Sequence, residues 1–161
     1  MASLPQLIEE DVSEINRALQ DLLMKSDASV ALLIDKGGFL ICQCGDNPFD
    51  TVTLAALSAA SFAATQGIAG LVSELNFSSV YQQGEGYSIL VLNVDEWSLL
   101  TIIFKARISA GAVKYFAAST LKEIADQLQR AHQRDPETGL DLSMLNMANP
   151  SSMFKKKKKA A

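Results

Sequence analysis

From position 51 to 73 the chain runs twenty-three residues without one Asp, Glu, Lys, Arg or His, and Ala, Ser, Thr and Gly make up most of that stretch. Its larger apolar residues, Leu54, Leu57, Ile68, Leu71 and Val72, with Leu75 just beyond, recur on one stripe at the helical period, and Ser61 and Ala64 fill the gaps. The opposite face carries Ala55, Ala59, Phe62, Ala63, Gln66, Gly70 and Ser73, where a surface helix would carry Lys and Glu. The expectation is a helix covered on two sides: the large stripe turned to the protein's own core, the small-residue face to a second surface. A membrane span needs about 20 strongly apolar residues, and Thr51, Thr53, Ser58, Ser61, Thr65, Gln66, Gly67 and Ser73 argue against one. A chain of 161 residues has few layers with which to bury such a helix entirely by itself. Small side chains admit close approach, which favours a symmetric dimer, a partner protein, or both.

Length and composition fit a single domain over 1–132, followed by a tail at 133–161 expected to be flexible. The start, Met1-Ala2-Ser3-Leu4-Pro5, resembles neither a secretory leader nor a lipidation box, so the expected location is the cytoplasm. Cys42 and Cys44 sit two apart in a strand-like run, too close for a useful staple, and read as reduced thiols. The net charge is -4, yet setting aside Lys155, Lys156, Lys157, Lys158 and Lys159 leaves nine of the 14 basic residues against 18 acidic ones. So acidic a body argues against nucleic acid as the main partner.

Periodicity orders the elements. Leu4, Ile8, Val12, Ile15, Leu19 and Leu22 recur at spacings of three and four after Ser3 and Pro5, predicting a first helix over about 4–25. Two apolar runs, 29–35 and 39–44, flank Gly37-Gly38 as in a hairpin. Asp50 or Thr51 caps the uncharged helix, and three strand-like runs follow at 77–82, 87–94 and 97–104 as an antiparallel meander. Ser109 caps a last helix running to about Arg130, with Val113, Phe116, Ala117, Leu121, Ile124 and Leu128 on one stripe. The order α-β-β-α-β-β-β-α makes an α+β fold: a five-stranded antiparallel sheet with the uncharged helix on one face and the terminal helices on the other.

Four segments stand in this order: Leu32-Leu33-Ile34-Asp35-Lys36-Gly37-Gly38-Phe39-Leu40-Ile41, Asp50-Thr51 through Leu54-Ala55-Ala56-Leu57, Ala63-Ala64 to Glu74, and Phe104-Lys105-Ala106-Arg107-Ile108-Ser109-Ala110-Gly111. Together they resemble the Roadblock family, the dynein-light-chain-related regulators, and within it the bacterial MglB group. The likeness spans about 5–132 and omits the tail. It implies that two protomers join by edge strands into one sheet, setting two small-residue helices side by side. The candidate edge is 77–82, where Phe77, Ser79 and Tyr81 alternate. It further implies a homodimer that binds a small Ras-like GTPase and speeds its GTP hydrolysis, in cell polarity or motility, with recruitment to a cell pole or membrane surface. The docking surface expected for that GTPase is Ala59, Phe62, Ala63, Gln66, Gly67 and Gly70.

Catalysis by the chain itself is not expected. One histidine, His132, cannot build a His-based triad or a multi-histidine metal site. Gly84-Glu85-Gly86 lacks the following glycine of a dinucleotide loop, no Gly-Lys-Ser/Thr occurs, and two cysteines make no metal set, so neither cofactor nor metal is expected. Of Arg17, Arg107, Arg130 and Arg134, only Arg107 lies near a loop, and its family-like position reads as structural rather than as an arginine finger. The resemblance implies instead that the GTPase supplies its own catalytic groups.

The tail leaves alternatives open. Its five lysines are a solvated end, a weak anionic-membrane contact worth about 1 kcal/mol per lysine, or a counterpart to an acidic patch. Leu140, Leu142, Met144, Leu145 and Met147 are too apolar for an idle linker and either dock in a groove on the GTPase or pack on their own domain. Two other functions compete: a scaffold that binds a GTPase or motor complex without changing hydrolysis, and a small-ligand sensor, against which stands the lack of convergent polar groups.

Overall fold

The computed structural model describes residues 4–46 and 48–134. Eight elements follow one another: α1 (Glu9–Ser26), β1 (Val30–Asp35), β2 (Leu40–Cys44), α2 (Thr51–Leu71), β3 (Ser79–Gln83), β4 (Tyr87–Asn93), β5 (Ser98–Lys105) and α3 (Ala110–His132). The strands form one five-stranded sheet in the order β2-β1-β5-β4-β3, with every neighbouring pair antiparallel. This is the architecture expected from the periodicity.

Alternation along the strands sorts the apolar side chains into two cores. On one face Leu33, Leu100, Ile102 and Phe104 pack with Leu19 and Leu22 of α1 and Ile124 and Leu128 of α3. On the other, Val30, Leu32, Ile34, Val91, Leu99 and Ile103 pack with Ala55, Ala59 and Phe62 of α2. β1 and β5 are central and covered on both sides, so they read as unbroken apolar runs rather than alternating ones.

The first helix starts at Glu9, later than the apolar spacing suggests. The Asp11 carboxylate accepts the Ile8 backbone N–H at 2.9 Å, capping the helix there. Glu9, Glu10 and Asp11 then place negative charge at the positive end of the helix dipole. The segment before it is not helical, and Leu7 from that segment is spent in the core. Tertiary burial of Leu7 thus overrides the helix-start signal at Ser3 and Pro5. The other two caps form as expected: Asp50 Oδ1 accepts from Thr53 N at 3.1 Å, and Ser109 Oγ from Ala112 N at 3.4 Å.

In the β1–β2 turn Gly38 has φ +97°, and a Cβ there would stand 3.1 Å from the Ala56 Cα. The turn therefore leans on the backbone of α2, close to where that helix meets the sheet. On the far face α1 and α3 are tied by a buried carboxylate. Asp11, wholly inaccessible to solvent, accepts from Gln127 Nε2 at 2.6 Å and from both terminal nitrogens of Arg134 at 2.6 and 2.9 Å.

Candidate functional site

The orientation of α2 reverses the expectation. Ala55, Ser58, Ala59, Phe62 and Ala69 are buried, whereas Leu57, Ile68, Leu71, Val72 and Leu75 of the stripe assigned to the core are exposed, Leu71 at 84% and Leu75 at 95%. The sheet explains it. Its strands fill this core with Val, Leu and Ile, so the helix turns mostly small residues inward, with Phe62 buried among them and Leu54, alone of the stripe, half-buried against the same core. A stripe of large apolar side chains marks a covered face without saying whether the cover is the same chain, and here the chain leaves it open. The helix is long and apolar enough to cross a membrane by length and composition, but its inner face is part of the sheet's core.

The six residues proposed for docking are therefore divided. Ala59 and Phe62, each 5% exposed, belong to the core and cannot meet a partner directly. Gln66 is committed to its own chain: its Nε2 donates to the Phe77 carbonyl at 2.9 Å, and its Oε1 accepts the Phe77 N–H at 3.2 Å. Ala63, Gly67 and Gly70 are exposed. A Cβ added at Gly67 or Gly70 would meet no atom within 4 Å, so nothing in the protomer asks for glycine at either place. Each costs a helix about 1 kcal/mol relative to alanine.

Four of the six nevertheless surround one cavity of about 660 Å³: Ala59, Phe62, Ala63 and Gln66 line it together with Lys36, Asn76, Phe77, Ser78, Asn93, Asp95, Glu96 and Leu99. Its Lys36 ammonium lies 5.9 Å from the centre of the Phe62 ring. Burial pushes the pKa of Lys36 down, and the nearby Asp95 and Glu96 charges oppose that. Asp95 Oδ1 is occupied by Trp97 N, Ser98 N and Ser98 Oγ at 2.7–2.9 Å, which pins the β4–β5 turn at the cavity rim.

The edge strand stands where expected, displaced by one or two residues. β3 pairs only with β4, from Ser79 opposite Leu92 to Gln83 opposite Ser88, leaving its other side without a strand among the described residues. Phe77 precedes the strand because Gln66 has taken its backbone groups. Tyr81 stacks on Phe104 with ring centres 6.4 Å apart, and the Lys114 ammonium donates to Ser79 Oγ at 3.4 Å, so both residues turn toward α3. Val80, between them, joins the core under α2.

The four arginines all lie off the exposed face of α2 and bond within the chain: Arg17 to Glu14, Arg107 to Asp27 at 3.4 Å, Arg130 to Gln127 Oε1 at 2.5 Å, and Arg134 to Asp11. The His132 ring packs against Trp97 with centres 4.0 Å apart. Cys42 is buried and Cys44 half-buried, both free thiols, and burial pushes the Cys42 pKa up to about 11, far from a nucleophile at neutral pH. Among the described residues no group of His, Cys, Asp and Glu could hold a metal ion. Leu142, Met144 and Leu145, and the five lysines at 155–159, lie outside the described residues.

Sequence reasoning missed the Gln66 clamp and the cavity rim. Both depend on the α2–β3 connection returning to the sheet, and no local signal marks that.

Comparison with known proteins bears on the family and the fold. The Roadblock/LC7 domain model matches residues 14–104. Myxococcus xanthus MglB is 29% identical, with a TM-score of 0.73, over 80% of this chain and 97% of that one. The gliding protein MglB of Thermus thermophilus is 28% identical, with a TM-score of 0.74, over 81% and 99%. A structure described as MglB with tetrameric arrangement is 28% identical, with a TM-score of 0.75, over 81% and 99%. A Roadblock/LC7 domain of Streptomyces avermitilis, 16% identical with a TM-score of 0.65 over 71% and 97%, shares the fold. No curated protein sequence matches the chain significantly.

Proposed function

Because this chain belongs to the Roadblock/LC7 family, its domain model matching more than half of the sequence, we propose that it is a homodimeric regulator. In this reading it binds a small Ras-like GTPase and stimulates GTP hydrolysis without inserting an arginine finger. The observation that carries the reading is the outer face of α2. It has no charge from Thr51 to Leu71, exposes Leu57, Ile68 and Leu71, and spends two glycines where the protomer needs none. Side-chain-free positions on an uncharged helix let another backbone come close, and an apolar patch of this kind on a soluble chain is a protein-binding surface.

The open side of β3 supports a second copy joining by strand addition beside the same helix. The reading without an arginine finger is supported by the arginines' bonds within the chain, to Glu14, Asp27, Gln127 and Asp11. The dimer then acts by positioning groups that the GTPase already owns.

The test uses the full chain with Ala63→Arg and a Ras-like GTPase from the same genome. Ala63 is exposed, so arginine there is tolerated by the protomer but places an unpaired charge in the docked interface. GTP turnover stimulation should fall at least about tenfold, equivalent to 1.4 kcal/mol, with the dimer intact by light scattering. Full stimulation by the variant would place docking elsewhere. Binding by the wild type without any change in turnover would leave a scaffold in place of an activator.

A further inference from the structure

Between Lys36 and Lys105 the chain holds no Lys, Arg or His, yet it carries Asp46, Asp50, Glu74, Glu85, Asp95 and Glu96. That stretch folds into β2, α2, β3, β4 and nearly all of β5. Charge elsewhere is mixed and paired, with ion pairs joining Glu14 to Arg17, Asp21 to Lys25, Asp27 to Arg107 and Asp11 to Arg134. None of the acids between Lys36 and Lys105 forms an ion pair among the described residues.

The fold gathers these acids around the outer face of α2. Asp46 and Asp50 precede the helix, Asp50 as its cap, and Glu74 follows its last turn. Asp95 and Glu96, in the β4–β5 turn, line the cavity beside α2 together with Ala63. All but the half-buried Asp95 are exposed. Lys36 lines the same cavity, and one base against two acids leaves that flank negative. The centre of the face, with Leu57, Ile68 and Leu71 exposed, carries no charge at all. An uncharged apolar centre within a charged, solvated border is the anatomy of a protein interface.

We propose that this face docks a protein surface of the complementary kind, apolar at its centre and basic at its margin, and that the acidic border steers this partner into place. The inference rests on the functional reading above and gives the GTPase a chemical description. A second copy joined at β3 brings the same acids, so it is not the complement of this border. Nor is an anionic membrane, although α2 is long and apolar enough to enter one. Like charge repels both, whereas a basic margin is drawn in from beyond contact, over a screening length of about 30 Å at 0.01 M salt and about 8 Å at 0.15 M.

The test is stopped-flow association of the full chain with the Ras-like GTPase at those two salt concentrations. Wild type should associate at least about tenfold faster at the lower one. Glu74→Lys/Glu96→Lys should lose most of that gain while dissociation moves by less than about twofold, because rim charges act mainly on the association rate. Both side chains are exposed and outside any ion pair among the described residues, so the fold does not depend on them. Glu123→Lys/Asp126→Lys makes the same charge change at exposed positions of α3 and should keep the gain. Association that ignores salt, that quickens with the reversed border, or that slows equally in both double variants overturns the proposal and leaves the GTPase reading standing. A wild type that binds no GTPase overturns that reading and this inference with it. Co-sedimentation of wild type with phosphatidylserine-containing vesicles, lost in Ile68→Asp/Leu71→Asp, also overturns the proposal and assigns the face to a membrane.

Discussion

Replacing Arg134 by Met removes one partner from a buried ion pair and leaves the other in place. Asp11 has no solvent-accessible surface, and Arg134, about a quarter exposed, gives it two of its hydrogen bonds. Losing the charged partner of a buried pair costs about 3–5 kcal/mol, but the Ile8 N–H and Gln127 Nε2 remain on the carboxylate, which brings the expected loss down to about 2 kcal/mol. The Asp11 pKa points the same way: held down to about 2 from 3.8, chiefly by the hydrogen bond from Arg134, a shift of that size is worth roughly 2 kcal/mol at 1.36 kcal/mol per unit. The pH dependence follows from its direction. A carboxylate with a depressed folded pKa contributes fully above the unfolded value, 3.8, and loses that contribution as pH falls through about 2. Urea unfolding of wild type and Arg134→Met should therefore differ by about 2 kcal/mol at pH 7 and converge near pH 2. A difference below about 0.5 kcal/mol at pH 7, or one that does not change with pH, would refute the idea that this pair ties α3 to α1.

Other expectations follow from single side chains. Gly67→Ala/Gly70→Ala meets no atom and should raise the stability of the isolated protomer by about 1–2 kcal/mol, read as a Tm gain of roughly 4–8 °C; the same pair should weaken GTPase binding, and a stabilised variant that binds unchanged would detach the glycines from docking. Gln66→Ala strips both partners from the Phe77 backbone at a cost of about 1–2 kcal/mol, and hydrogen exchange should quicken at β3 before any other strand. Gly45→Ala forces a Cβ to 2.2 Å from the Ser29 carbonyl oxygen at φ +112°, so a loss of at least about 2 kcal/mol in chemical denaturation is expected. Thiol labelling at neutral pH should reach Cys44 well before Cys42, whose modification should track global unfolding.

What could be read ahead of the structure was whatever leaves a local imprint. The glycine turn at Gly37-Gly38, the caps Asp50 and Ser109 and the apolar runs of β1 and β5 each announce themselves within a few residues. The facing of α2 does not, because a helix covered by its own sheet and by a second surface is apolar on both sides, and hydrophobicity carries no record of which cover is which. Residue volume was the better guide: a sheet already lined with Leu32, Ile34, Val91 and Ile103 leaves room for Ala55 and Ala59, not for a row of leucines. The start of α1 lies later than the spacing suggests for a related reason, since Leu4 and Ile8 keep the helical period although the helix begins only at Glu9. Bonds between residues far apart in sequence were out of reach altogether, Asp11 to Arg134 across 123 positions being the extreme.

Gln66 uses both ends of one amide on the backbone of one residue eleven positions ahead. That makes the intervening chain, 67–76, a loop closed at its base. Its closure entropy changes only slowly with length, and the register of β3 on β4 is set below the knot rather than above it. Residues could be added to or removed from the overhanging end of α2 without sliding the sheet. The segment that carries the highly exposed Leu71 and Leu75 is thus also one whose length can drift freely, and a surface that must fit different partners can be recut there while the fold beneath keeps its alignment.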